Sequence, residues 1–199
     1  MGSIKKELLS GVFYTAIAKY SGILISLIIT GVLARLISPD KFGIVAVVTV
    51  ITFFFSIFSD LGIGAAIIQN KELQQKDLNQ LFSFTVWSGC ILTLLFFLCS
   101  WPISLFYKEP SMKTITQLLA INLFFASANI VPNALLYKAK AFKFLAWRSL
   151  GVQVSGGIIA ILAALGGAGL YALIINPILS SILLFIISYQ KYPQTLEMT

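Results

Sequence analysis

LARLISPDKFGIVAVVTVITFFFSIFSDLGIGAAIIQN, residues Leu33 to Asn70, decides how the rest of the chain is read. A short polar connector holding Arg35, Pro39, Asp40 and Lys41 leads into an apolar run that begins at Phe42. Within that run stands a lone acid, Asp60, followed by Gly62 and Gly64. About 20 predominantly apolar residues are what the hydrocarbon of a bilayer requires of a helix. An acid inside such a segment is costly unless water or a partner receives it. Lys19, inside the preceding apolar segment, is the candidate partner.

The same pattern recurs along the whole chain. Apolar spans are expected over 8–34, interrupted only by Lys19, then over 42–68, 78–107, 114–137, 147–166 and 169–190. Gly166-Gly167-Ala168-Gly169 supplies the reversal between the last two, because glycine permits the backbone angles of a tight turn. The expected fold class is all-α: a polytopic membrane protein in which residues 1–199 form a single lobe of six transmembrane helices.

Composition agrees. The 199 residues are 58% hydrophobic and 11% charged, with a mean hydropathy of +0.94, whereas a soluble domain carries roughly 25% charge. The formal net charge is +7, but the basic residues flank apolar spans without an aromatic-interleaved patch, so no nucleic-acid partner is called for. Histidine is absent, which removes a His/Cys metal site, and no cofactor is implied. Cys90 and Cys99 fall on one predicted helix about 13 Å apart along its axis, too far for a disulfide. The N-terminal MGSIKKELL lacks the short apolar core and cleavage site of a signal peptide.

Orientation follows from lysine and arginine. With the N-terminus inside, nine basic residues (Lys5, Lys6, Lys71, Lys76, Lys138, Lys140, Lys143, Arg148, Lys191) face four outside (Arg35, Lys41, Lys108, Lys113). Both termini are therefore expected on the cytoplasmic side. Trp101, Tyr107, Tyr171 and Tyr189 fall near span ends, where interfacial aromatics belong.

Polar residues inside the spans recur at steps of three or four and so share helical faces. Thr15, Lys19, Gly22, Ser26 and Thr30 do so in the first span, Thr49, Thr52, Ser56 and Asp60 in the second, and Asn122, Asn129 and Asn133 in the fourth. Lys19 lies eleven residues in from Leu8 and Asp60 ten residues before Asn70, so both fall roughly 15 Å from the inner boundary. If the first two spans pack side by side, the two charges meet in a wet pocket. Lys19, Asp60, Ser26, Thr30, Thr52, Ser56, Asn122, Asn129 and Asn133 are the candidate cavity residues. Hydroxyls and amides also serve as packing contacts between membrane helices. Pro132 and Pro177 each remove a backbone hydrogen bond and are expected to bend their helices. In the fifth span Gly151, Ser155, Gly156, Ala160 and Ala164 permit close helix approach. Lys138, Lys140 and Lys143 alternate with apolar residues at the inner face, as an anchor or an anionic headgroup contact would.

Three motifs carry a resemblance. Arg35-Leu-Ile-Ser-Pro39-Asp40-Lys-Phe42-Gly43 lies between the first two spans, Asp60-Leu-Gly62-Ile-Gly64 and Ala66–Gln69 close the second, and Leu136–Phe144 follows the fourth. With them the chain resembles the N-terminal part of a polysaccharide-unit flippase. That is the O-antigen and capsule branch of the multidrug/oligosaccharidyl-lipid/polysaccharide exporter superfamily. The resemblance implies two helical lobes around a cationic cavity and alternating-access movement of undecaprenyl-diphosphate-linked oligosaccharide across the bacterial inner membrane. It implies no covalent catalysis, and places Lys19, with Asp60, at the cavity wall. The expected partners are the lipid-linked oligosaccharide, membrane lipids, and a missing C-terminal lobe or second copy, since the family has a second lobe and this sequence ends after six spans. A cation-coupled multidrug exporter of the same superfamily, requiring Asp60, and a non-transporting assembly partner are the competing readings. A membrane enzyme would need several polar groups at one boundary, often with histidine, and the loops offer only isolated acids such as Asp40, Asp77 and Glu109.

Overall fold

Long apolar runs surrounded by hydrocarbon must satisfy their own amides, which leaves the helix as the available structure. The computed structural model describes residues 2–60, 62–70 and 72–197, with side chains from Gly11 onward except Val12. Lys71 and the side chains of Lys5 and Lys6, all counted in the charge balance, lie outside the described residues. The elements are α1 (Gly2–Leu36), α2 (Pro39–Asp60), α3 (Ile63–Gln69), α4 (Gln75–Tyr107), α5 (Pro110–Ala128), α6 (Ile130–Lys138), α7 (Phe142–Leu165) and α8 (Ala172–Lys191). A single 3-10 turn, Gly169–Tyr171, precedes α8. Six helical segments are long and apolar enough to cross a membrane. The all-helical, six-span architecture expected from the sequence is the one observed, with no strand among the described residues.

Boundaries differ in ways that have physical causes. The second span is two helices: α2 stops at Asp60 and α3 resumes at Ile63, with Gly62 in the left-handed region at φ 79°. The fourth span is likewise α5 and α6, interrupted at Asn129. The expected bend at Pro132 lies three residues earlier. Pro132 has no N–H to offer the carbonyl of Ala128, four residues back, and α5 ends at Ala128. Pro177, by contrast, sits inside an uninterrupted α8. The fifth span begins at Phe142 rather than 147. The 166–169 reversal is as predicted, with Gly167 at φ 86° and Gly169 at φ 53°.

Neighbour relations decide what each helix offers. The main partner of α1 is α7, whereas α2 lies against α5 and, to a lesser extent, α4. Chain neighbours α1 and α2 thus do not form the expected pair. Buried Val48, Phe96, Ile115, Leu119, Leu123 and Ile174 bind α2, α4, α5 and α8 together. A second cluster, around Ile67, Phe82 and Val131, joins α3, α4 and α6. The third, Ile29, Leu33, Ile37, Ala160 and Ala172, seals α1 against α7 and the start of α8. Of the small residues in the fifth span, Ala160 is fully buried and Gly156 faces Asn176, while Gly151 meets no neighbour within 4 Å.

Gly11 faces Phe142, Gly22 faces Gln153 and Gly157 faces Ile29, so α1 and α7 run parallel along a seam of glycines. Gln153 Nε2 donates to the carbonyl of Gly22 at 2.8 Å. Gln75 Nε2 donates to Gln194 Oε1 at 2.9 Å, and the Lys191 ammonium lies 6.0 Å from the Phe144 ring centre. Gly11, the α6–α7 reversal, the end of α8 and the start of α4 therefore share one end of the lobe.

A Cβ at Gly157 would collide with Ile29 of α1. Gly157→Val is expected to lower stability by about 1–3 kcal/mol, the usual cost of overpacking, read as a reduced thermal midpoint of the purified protein in detergent.

Candidate functional site

The polar residues singled out from sequence separate into distinct places. The first is a groove of about 270 Å³ between α2, α5 and α8, lined by Thr49, Thr52, Phe53, Ser56, Asn122 and Pro177 among others. Thr52, Ser56 and Asn122 are thus brought together as expected. Thr52 Oγ1 donates to the Val48 carbonyl at 2.8 Å and Ser56 Oγ to the Phe53 carbonyl at 2.7 Å. Their protons are committed to their own helix, a common role for hydroxyls in apolar helices, which leaves each oxygen able only to accept. The half-buried Asn122 carboxamide has no side-chain partner among the described residues.

The second place is a groove of about 280 Å³ where Thr15 and Lys19 of α1 meet Tyr137, Phe142, Ala146 and Ser149. Lys19 lies eight residues beyond Gly11, the residue set against the start of α7, so its backbone is about 12 Å from that end. Its side chain is exposed. Ser26 and Thr30 are also exposed on α1 and line neither groove.

Asp60 is elsewhere. Its Oδ1 accepts a hydrogen bond from Gly64 N at 3.4 Å, across the interruption between α2 and α3. The expected Lys19–Asp60 pair is not formed: among the described residues no ion pair joins them, and their helices are placed against different neighbours. The physical reason is that α1 follows the glycine seam on α7, while the α3 amide supplies Asp60 with a local donor.

The asparagine stripe of the fourth span is divided by the break at Asn129. Asn129 Oδ1 is buried with no hydrogen-bond partner. Asn133 Oδ1 accepts from Arg148 Nη2 at 2.8 Å. Arg148 also donates through Nη1 to Ser188 Oγ of α8, is 9% exposed, and leaves its Nε unpartnered. This guanidinium is the functional-looking group that the sequence reading missed. Counted there as an inner-face residue, it lies inside α7 and links α6, α7 and α8, which lowers the inner-side count by one. A basic residue at the sixth or later position of an apolar helix, seven residues into α7 here, was the available signal.

Lys138, grouped with Lys140 and Lys143 in sequence, also stands apart from them. Its ammonium donates to the Asn70 carbonyl at 2.8 Å and ties α6 to the end of α3. Cys90 and Cys99 are free thiols. No cluster of three metal-ligating side chains occurs among the described residues.

Comparison with known proteins adds the family. The family described as "Polysaccharide biosynthesis protein" matches residues 32–199. The chain belongs to it. Among curated relatives, the lipopolysaccharide biosynthesis protein WzxC of Escherichia coli is 27% identical over 158 residues, 79% of this chain and 31% of WzxC. The teichuronic acid biosynthesis protein TuaB of Bacillus subtilis is 28% identical over 121 residues, 61% of this chain and 25% of TuaB. The succinoglycan biosynthesis transport protein ExoT of Rhizobium meliloti is 22% identical over 76% of this chain and 31% of ExoT. The chain therefore spans about a third or less of these relatives. No solved structure matches it.

Arg148 bonds two different helices through the two arms of one planar fork, a geometry an ammonium does not reproduce. Arg148→Lys is expected to cost about 1–3 kcal/mol, the range for losing a charge-assisted hydrogen bond. Chemical or thermal denaturation of the purified protein checks it.

Proposed function

We propose that this chain is one lobe of a transporter that flips undecaprenyl-diphosphate-linked oligosaccharide across the bacterial inner membrane for surface-polysaccharide synthesis. The observation that carries the reading is the polysaccharide-biosynthesis family match over residues 32–199 on a lobe whose apolar helices border a groove that carries Thr49, Thr52, Ser56 and Asn122 among apolar side chains. Transport of this kind makes and breaks no covalent bond in the protein. What it requires is a path through hydrocarbon where a charged, hydroxyl-rich headgroup is met by polar groups.

The lobe offers two such sets. The Asn122 carboxamide and the acceptor oxygens of Thr52 and Ser56 suit sugar hydroxyls, each of which both donates and accepts. The Lys19 ammonium, exposed on α1 with Ser26 and Thr30 beyond it on the same helix, suits a diphosphate or an acidic sugar. In this reading the exposed stripe of α1 faces the second lobe, supplied by the C-terminal part of a longer protein or by a second copy. The positive-inside balance, eight against four once Arg148 is assigned to α7, supports a reading in which the end with the α6–α7 reversal faces the cytoplasm, where the lipid-linked unit would be taken up.

The test is export in a bacterium lacking its own exporter and complemented by the full-length protein that carries this lobe. Complementation is expected to restore surface polysaccharide, and Lys19→Ala is expected to lower export roughly tenfold, as loss of one charge-assisted contact would. Lipid-linked units should then accumulate on the inner leaflet. Full export by Lys19→Ala removes Lys19 from the path; failure of the unaltered protein to restore export overturns the function itself.

A further inference from the structure

Past α8 the chain folds back onto the lobe. Residues 193–197 carry no helix and lie along the start of α4, on side chains one helical turn apart. Gln75 Nε2 donates to Gln194 Oε1 at 2.9 Å, the Thr195 amide donates to Asn79 Oδ1 at 3.3 Å, and the Glu197 amide donates to Ser83 Oγ at 2.8 Å. Asn79 Nδ2 donates in turn to Glu197 Oε1 at 3.0 Å, and the Tyr189 hydroxyl, still on α8, donates to the Gln194 carbonyl at 2.8 Å. The match has a geometric cause. Amides two residues apart in an extended chain are about 6.6 Å apart, and four residues of α-helix rise about 6 Å. Trp87, next on that face of α4, offers no acceptor, so the strap cannot advance by one turn without losing a rung.

This strap links helices that are held chiefly by different neighbours: α4 packs mainly on α5, and α8 on α7 and α5. The start of α8 is fixed by burial of Ala172 and Ile174, whereas beyond Pro177 its buried side chains are Ser181 and Ser188. Pro177 offers no N–H to the Leu173 carbonyl, so bending of α8 is least costly there. Gln194 is 3% exposed and Leu196 is 62% exposed. One buried anchor with few apolar contacts is what a segment that opens locally has. We propose that residues 193–197 are a latch: docked on α4 they hold the far part of α8 in place, and undocked they free it to swing about Pro177. Because Pro177 also lines the groove with Thr52 and Asn122, the swing alters the width of that groove. The latch is independent of what the lobe transports.

The purified full chain in nanodiscs provides two readouts. Hydrogen exchange of the 193–197 segment is expected to rise about tenfold in Asn79→Ala, which removes two of the bonds, and severalfold in Gln194→Ala. Leu196→Ala, at an exposed side chain, leaves it unchanged. For the second readout, Cys90 and Cys99 are replaced by Ser, and nitroxide labels are attached at Lys113→Cys on α5 and Gln190→Cys on α8, both exposed positions. Pulsed electron spin resonance is expected to give one narrow distance distribution with the strap intact, and a broadened one in Asn79→Ala and in Gln194→Ala. Gln194→Ala acts from the strap side, so the outcome does not depend on how α4 tolerates a change at Asn79. Unchanged exchange in Gln194→Ala or in folded Asn79→Ala overturns the docking. Faster exchange with an unchanged distance distribution overturns the latch.

Discussion

In hydrocarbon, every interruption of a helix must be repaired by the protein, because no solvent is present to receive the freed amides and carbonyls. This lobe carries two interruptions, at Asp60–Gly62 and at Asn129, and sets them side by side. The repairs are shared. Asp60 takes the Gly64 amide, Ser127 Oγ donates to Ser59 Oγ at 3.0 Å across the two spans, and α3 and α6 continue as a packed pair below the breaks. An acid so placed is stabilised by the positive end of a helix and by an amide donor. Its presence in the sequence is accounted for without a lysine partner. The arrangement also fixes register: α3 is aligned with α6, and the Lys138 ammonium on Asn70 closes the pair at its far end.

The α6–α7–α8 corner relies on a different device. A guanidinium with no carboxylate nearby is expensive to bury. The cost is reduced here by two hydrogen bonds to neutral side chains, which spread the charge over Asn133 and Ser188. Neutral partners hold the three helices together without fixing a second charge in the same layer. Lys19, Lys143 and Lys191 stand in the same half of the lobe.

Much of the fold was legible because it depends on local composition. Apolar runs, the Gly166–Gly169 reversal and the connector at Pro39 follow from properties of neighbouring residues. Partner choice was not legible in the same way. Two residues join α1 to α2, which invites pairing them, yet α1 is bound elsewhere because Gly11, Gly22 and Gly157 allow its backbone to approach α7. Gly11 and Gly22 are eleven residues apart, about three helical turns, so they share a face; that signal was present but has meaning only once the facing glycine is known. Thr52, Ser56 and Asn122 share one groove because their faces oppose across α2 and α5. Arg148 was misplaced because a charge close to the start of an apolar run reads as a flank, and its partners lie fifteen and forty residues away.

The glycine seam has a mechanical side. Whereas α5 and α7 are each wedged among several neighbours, α1 is fastened chiefly along a single line on α7. Along that line Phe142, Gln153 and Ile29 each seat on a glycine of the facing helix. Sliding or peeling along that line disturbs Ile29, Leu33 and the Gln153 hydrogen bond and leaves the two cores around α4 and α5 intact. The first helix is therefore joined to the rest of the lobe chiefly through α7, and it is the one that bears Lys19.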